Sequence, residues 1–146
     1  MSDGKACTGR SHKVSRYTLE PSTSALTTLR EFLRATLVSC PAVAPYLQDI
    51  IWATHEAAKN AVVHNPDSAE PVNVTCEILP DAVVVEVSDK GKGFKPPEEP
   101  PEPPDPEALA GRGLFLMHCL MDQVETSSSK RGTRVRLVKR LEPALT

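Results

Sequence analysis

The chain has no uninterrupted apolar run of about 18 residues, the length a membrane-spanning helix needs. Its first segment, MSDGKACTGRSHK, lacks the apolar centre of a secretory signal. Residues 1–11 are therefore expected to be a flexible tail, and the protein cytoplasmic, with no membrane contact. Cysteine never occurs as CxxC: Cys7, Cys40, Cys76 and Cys119 are scattered, and without an export signal they read as reduced, mostly buried thiols. His12, His55, His64 and His118 form neither HExxH nor a Cys/His ligand spacing, which argues against zinc. There is no GxxxxGK[ST] loop and no GxGxxG, so the Walker and dinucleotide fingerprints are excluded. Neither sign of charge dominates. With 17 basic and 19 acidic residues the net charge is −2, which gives no basis for direct nucleic-acid binding. No internal repeat is visible.

Proline is abundant. The chain holds 14, and FKPPEEPPEPPDPEALAGRG, Phe94 to Gly113, is dense with them. Between two domains such a stretch would be a linker. Cutting there, however, leaves about 35 residues downstream, under the roughly 40 needed for independent folding. A chain of 146 residues is also an ordinary size for one domain. The expectation is a single domain over 12–146, with 94–110 a loop inside it.

Periodicity supplies the elements. Alternation between His12 and Glu20 reads as a strand. Leu26, Leu29, Phe32, Leu33 and Leu37 recur with helical spacing after a possible N-cap at Ser22 or Ser24, and Pro41 and Pro45 then break the pattern. From Tyr46 to Asn65, Leu47, Ile50, Ile51, Thr54, Ala57, Ala58, Ala61 and Val62 fall in one arc of a second helix, which Asn65-Pro66 ends. VNVTCEIL and AVVVEVSD read as two strands, the second valine-rich as a central strand would be. GLFLMHCLMDQVE is an apolar helix running into a strand, SSSKRG a turn, and TRVRLVKRL a last strand. Helices packed on one face of a mostly antiparallel sheet give an α+β two-layer sandwich.

Four places interrupt these patterns. Glu56 and Asn60, one turn apart on the second helix, set a carboxylate and an amide at the core boundary, with Asp49 and His64 on the same stripe. Such a pair suits proton transfer and hard-cation ligation. Asp89 ends the valine strand and is followed by Gly91 and Gly93, which permit close backbone approach to a ligand. Gly111 and Gly113 bracket Arg112 at a helix start, where amides and the helix dipole favour phosphate. Gly132-Thr133 opens the last strand. Taken singly, each also reads as a solvated helix stripe, a plain turn, a helix start or a hairpin.

The series is more specific than its parts: Glu-x-x-x-Asn, then Asp-x-Gly-x-Gly, a variable loop, Gly-x-Gly-Leu and Gly-Thr. It resembles the N, G1, G2 and G3 boxes of the GHKL ATPase superfamily. HEAAKNAVVHN, GRGLFLM and GTRVRLVKR are most similar to the anti-sigma-factor serine kinases, over about residues 12 to 140. The resemblance implies a Bergerat-type fold, a mixed and largely antiparallel sheet with about three helices on one face. It also implies ATP and Mg²⁺. On that pattern Asp89 takes the adenine amino group, Gly91 and Gly93 give the nucleotide room, and Thr133 supports the adenine end. Asn60 ligates Mg²⁺, while Gly111, Arg112, Gly113 and Leu114 hold the phosphates. Glu56 is the general base toward a serine of an anti-anti-sigma protein, and a sigma factor is the sequestered target. Asn65-Pro66 after His64 departs from the family pattern, and Lys59, about 100° round the helix from Asn60, is expected to point elsewhere. Residues 94–110 take the place of the ATP lid.

Two functions stay open: a kinase that switches partners, for which the resemblance allows a homodimer, and a catalytically silent module whose nucleotide only sets which partner is held. A sensor histidine kinase would need a dimerising helix pair ahead of Leu26, and a topoisomerase or chaperone would need large additional domains.

Overall fold

A computed structural model describes residues 13–20, 22, 24–64, 71–90, 112–129 and 132–142, with Val63, His64, Arg112 and Ser129 described by backbone alone. The elements in order are β1 (Lys13–Leu19), α1 (Ala25–Leu37), a 3₁₀ turn (Pro41–Tyr46), α2 (Leu47–His64), β2 (Val72–Ile78), β3 (Ala82–Asp89), α3 (Arg112–Leu120), β4 (Gln123–Ser129) and β5 (Gly132–Arg140). The five strands form one sheet in the order β1-β2-β3-β5-β4. Every ladder is antiparallel, so the expected mixed sheet is antiparallel throughout among the described residues. The valine-rich strand β3 is the central one, as its composition implies.

Alternation places Val72, Val74, Cys76 and Ile78 of β2 and Val83, Val85 and Val87 of β3 on the covered face, all buried. Leu29, Leu33 and Leu37 of α1 and Ile50 and Ile51 of α2 close the core from the other side. Each such side chain contributes about 1.5–3 kcal/mol by leaving water. The opposite face of the sheet is largely polar apart from the buried pair Val84 and Val138: Arg136 lies 3.8 Å from Glu86 and 3.6 Å from Glu125. No described helix is long and apolar enough to cross a membrane.

Several local expectations change. Ser24 precedes α1 but makes no side-chain cap; its hydroxyl pairs instead with that of Ser22, at 3.2 Å. The break expected at Pro41 and Pro45 is present, and it takes the form of a 3₁₀ turn that passes directly into α2. SSSKRG is not all turn, since β4 extends through Ser129. The thiols are not all reduced. Cys76 and Cys119 are free, but Cys40 is disulfide-bonded, to a partner outside the described residues. Disulfide formation depends on Cα separation and orientation, which sequence spacing does not report. Burial pushes the Cys76 thiol up to about 12, leaving it inert.

Lys139 ties the helices together at the end away from the motifs. Its ammonium donates to the Leu120 carbonyl at 2.6 Å, pairs with Asp49 at 3.3 Å, and stands 5.5 Å from the Tyr46 ring centre. A cation at the C-terminus of α3 also complements that helix's dipole. Asp49, expected on the Glu56 stripe, is thereby engaged in holding α2 to α3 and β5.

Candidate functional site

Burial along α2 runs through Ile50, Ile51, Ala53, Thr54, Ala57, Ala58, Ala61 and Val62. Glu56 and Asn60 are half-buried at the margin of that face, one turn apart and so one above the other. Opposite them α3 begins. A Cβ built on Gly113 would stand 2.7 Å from Glu56 Oε1, and 3.5 and 3.6 Å from the Asn60 amide nitrogen and oxygen. Side chains do not approach that closely. The start of α3 thus stands against Glu56 and Asn60, bringing two of the sequence motifs into contact, and a side chain at 113 would push the end of the glutamate aside. Leu114 follows and packs against the core.

Lys59 does not point elsewhere. Its ammonium lies 3.2 Å from Glu56 Oε1, with the glutamate side chain 12% exposed and the lysine 44%. The carboxylate is sheltered while its counter-ion faces water. Spacing i, i+3 on a helix already places these two side chains side by side; measuring Lys59 against Asn60 missed it.

The second group sits at the ends of β3 and β5. Asp89 is paired in register with Thr133, and both share the strand parity that faces the helices. Thr133 is buried and its Oγ1 has no hydrogen-bond partner, an arrangement that ordinarily costs about 1–3 kcal/mol. Gly132 has φ +133°, and a Cβ there would fall 1.8 Å from the Asp89 carbonyl oxygen. A depression of about 310 Å³ opens here, lined by Asp89, Lys90, Ser128, Gly132 and Thr133, with Ser88, Ser127 and Arg134 from the outer face. Because α2 packs across β3 and β5, both groups of residues lie toward the helix-covered side of the sheet. Gly91, Gly93, Gly111 and the loop 94–110 lie outside the described residues, as does the side chain of Arg112.

A third cluster was not anticipated. Arg30 donates to His55 Nδ1 at 3.0 Å and stands 5.6 Å over the Trp52 ring, and Trp52 meets His55 edge-on at 5.3 Å. The signal was present in the sequence, since the chain's single tryptophan falls outside the apolar arc of its helix. Burial, and then the Arg30 and Lys59 charges, hold the His55 pKa below its usual 6.5 against the opposing pull of Glu56. Burial lowers His118 in the same direction. Neutral His55 thus contributes stability that is fully present above 6.5 and is lost as pH falls through the lowered folded value. Urea unfolding of His55→Gln should show a shallower loss of stability than wild type between roughly pH 7 and 5. Superimposable profiles would refute this.

An antiparallel sheet covered on one face by helices, with Glu-x-x-x-Asn meeting a Gly-Leu helix start and Asp facing Thr at the strand ends, is the layout of a Bergerat-type ATP-binding domain. The chain belongs to the histidine kinase-like ATPase domain family, whose model matches residues 19–139. It is 31% identical over 100 residues to an anti-sigma F factor of Clostridium acetobutylicum, covering 64% of this chain and 70% of that one. It is 32% identical over 105 residues to the serine-protein kinase RsbW of Bacillus velezensis, covering 65% of each. Among solved structures it is similar to the RsbU and RsbW domains of Rv1364c from Mycobacterium tuberculosis. There the TM-score is 0.68 at 23% identity, over 90% of this chain and 34% of that one. The match to the RsbW kinase therefore spans just under two thirds of that relative's length, and the structural match about a third of its neighbour's.

Proposed function

We propose that the chain is an anti-sigma factor and ATP-dependent protein-serine kinase that phosphorylates an anti-anti-sigma protein in a partner-switching system. The observation that carries this reading is the closure of Gly113 onto Glu56 and Asn60. A sheltered carboxylate and an amide at the start of a phosphate-binding helix are what transfer to a hydroxyl requires. The residues fit a nucleotide on two further counts. The orphaned Thr133 hydroxyl beside Asp89 is a polar atom awaiting a partner at the adenine end. Gly113 puts no side chain of its own in front of Asn60.

ATP with Mg²⁺ would supply the phosphoryl group and neutralise its charge. Asp89 and Thr133 would orient the adenine, with Gly91 and Gly93 leaving room for it. Asn60 would offer its amide oxygen to Mg²⁺. No described cluster of His, Cys, Asp or Glu could hold a metal, so that ion would depend on Asn60 together with phosphate oxygens, the usual arrangement for Mg²⁺. Gly111, Arg112, Gly113 and Leu114 would hold the phosphates at the α3 N-terminus. Lys59 occupies Glu56 Oε1, and Oε2 is the atom assigned to take the proton of the acceptor serine. Transfer of this kind needs positioning and charge neutralisation more than covalent help. The reading keeps one domain over 12–146 with 94–110 as its lid, a sigma factor as the alternate partner, and a cytoplasmic setting.

One observation favours a catalytically silent binding module instead: the Lys59 ion pair engages the carboxylate that the acceptor hydroxyl would need. Labelled ATP separates the two readings. Incubation with the cognate anti-anti-sigma protein should give phosphoserine on that protein, located by mass spectrometry. Nucleotide binding without transfer would leave the binding module.

Thr133→Val tests the adenine end. Removing an unpartnered buried hydroxyl should stabilise the free protein by about 1 kcal/mol and weaken ATP binding by roughly tenfold. Thermal unfolding and calorimetry read the two effects separately. Loss of stability with affinity unchanged would show that the hydroxyl serves the fold alone.

A further inference from the structure

Trp52 is the chain's only tryptophan, and 44% of it remains exposed. It precedes Glu56 by one turn of α2, so the indole and the carboxylate occupy neighbouring positions on one stripe. The core of α2 is complete without it. The ring is also fixed in place, edge-on to His55 at 5.3 Å and under Arg30 at 5.6 Å, with Arg30 bonded to His55 at 3.0 Å. Lys59 continues the strip beyond Glu56, half in water. Tryptophan and arginine are the residues most enriched at the energetic centres of interfaces. A side chain already held in one arrangement loses less entropy when a partner covers it.

We propose that Trp52, Arg30 and His55 form the docking surface for the phosphoacceptor protein, beside the point of transfer. This rests on the kinase reading of Glu56 and adds the surface on which the substrate sits. The occupant is a folded protein whose face next to its acceptor serine offers an apolar recess for the indole and a carboxylate for Arg30. Geometry makes the contact hard to avoid. A standard interface covers about 800 Å² on each partner, a patch of about 16 Å radius, while one helical turn is about 5.4 Å. A protein centred on Glu56 when it delivers its serine therefore covers Trp52. Lys59 is paired with Glu56, so Arg30 sets the sign of the charge the partner must bring.

The test uses the purified anti-anti-sigma protein that wild type phosphorylates. Trp52→Ala should raise the KM for that protein about 30-fold, with kcat and the KM for ATP near wild type, and Trp52→Phe should recover part of the loss. Because the indole is unique, labelling this chain with 5-fluorotryptophan gives one ¹⁹F resonance. It should shift when unlabelled acceptor is added to saturation. An unchanged KM, or a resonance unmoved at saturation, overturns the docking surface and leaves the kinase intact. A resonance that moves with the chain's own concentration, and not with acceptor, makes a second copy the occupant and overturns it too. Absence of any transfer by wild type overturns the kinase reading and this inference with it.

Discussion

Glu56→Gln should slow phosphoryl transfer by about 10²–10⁴-fold, the usual contribution of a positioned base, with binding of ATP and Mg²⁺ changed little. Glutamine keeps the size and shape of glutamate, so the contact with the start of α3 at Gly113, where a Cβ would stand 2.7 Å from Oε1, is preserved. The substitution removes the ion pair with Lys59, but that ammonium is 44% exposed, and a pair of this kind contributes about 1 kcal/mol or less. The fold should therefore survive, and the loss should appear in kcat. Single-turnover transfer to the acceptor protein, alongside calorimetry for ATP, separates the two. A Glu56→Gln variant as fast as wild type would remove the base assignment and revive the silent-module reading.

Gly132→Ala is expected to have the largest effect on stability. At φ +133° any side chain is strained, which by itself costs about 1–3 kcal/mol. The added Cβ would fall 1.8 Å from the Asp89 carbonyl oxygen and 2.8 Å from Lys90 Cα. Those are backbone atoms, and no rotamer change relieves the collision. The ends of β3 and β5 would have to part, carrying Asp89 and Thr133 out of register. A total of about 4 kcal/mol corresponds to a fall in Tm of roughly 10 °C for a domain this size, with ATP affinity lost in whatever still folds. At Gly113 the opposing atom is the far end of a flexible glutamate, so the two glycines differ in kind. Gly132 holds the ends of β3 and β5 together, and Gly113 leaves room for the Glu56 side chain. A Gly132→Ala protein that melts within a degree or two of wild type and binds ATP normally would contradict this.

Much of this was readable from residue pattern alone. Period-two alternation located β1, β2 and β5, and the density of valine in AVVVEVSD marked β3 as the centre of the sheet, because a strand with neighbours on both edges buries more of its length. β4 was read only as a strand following α3, with Ser127–Ser129 taken as turn. The apolar arc of α2 was read almost residue for residue, missing Ala53. What spacing could not supply was contact between elements distant in sequence. Nothing local says that Gly113 meets Glu56, that Lys139 clasps Asp49 and the end of α3, or that Cys40 finds a disulfide partner. Two misses were legible in principle. Lys59 is one i, i+3 step from Glu56, and Trp52 sits off the buried arc of its helix, where a large aromatic invites a question.

The most direct test of the account is calorimetric titration of the chain with ATP and with ADP in the presence of Mg²⁺. The account predicts saturable binding of one nucleotide per chain, abolished by Asp89→Ala and weakened when Mg²⁺ is withdrawn. No binding of either nucleotide, or binding indifferent to Asp89, would contradict it.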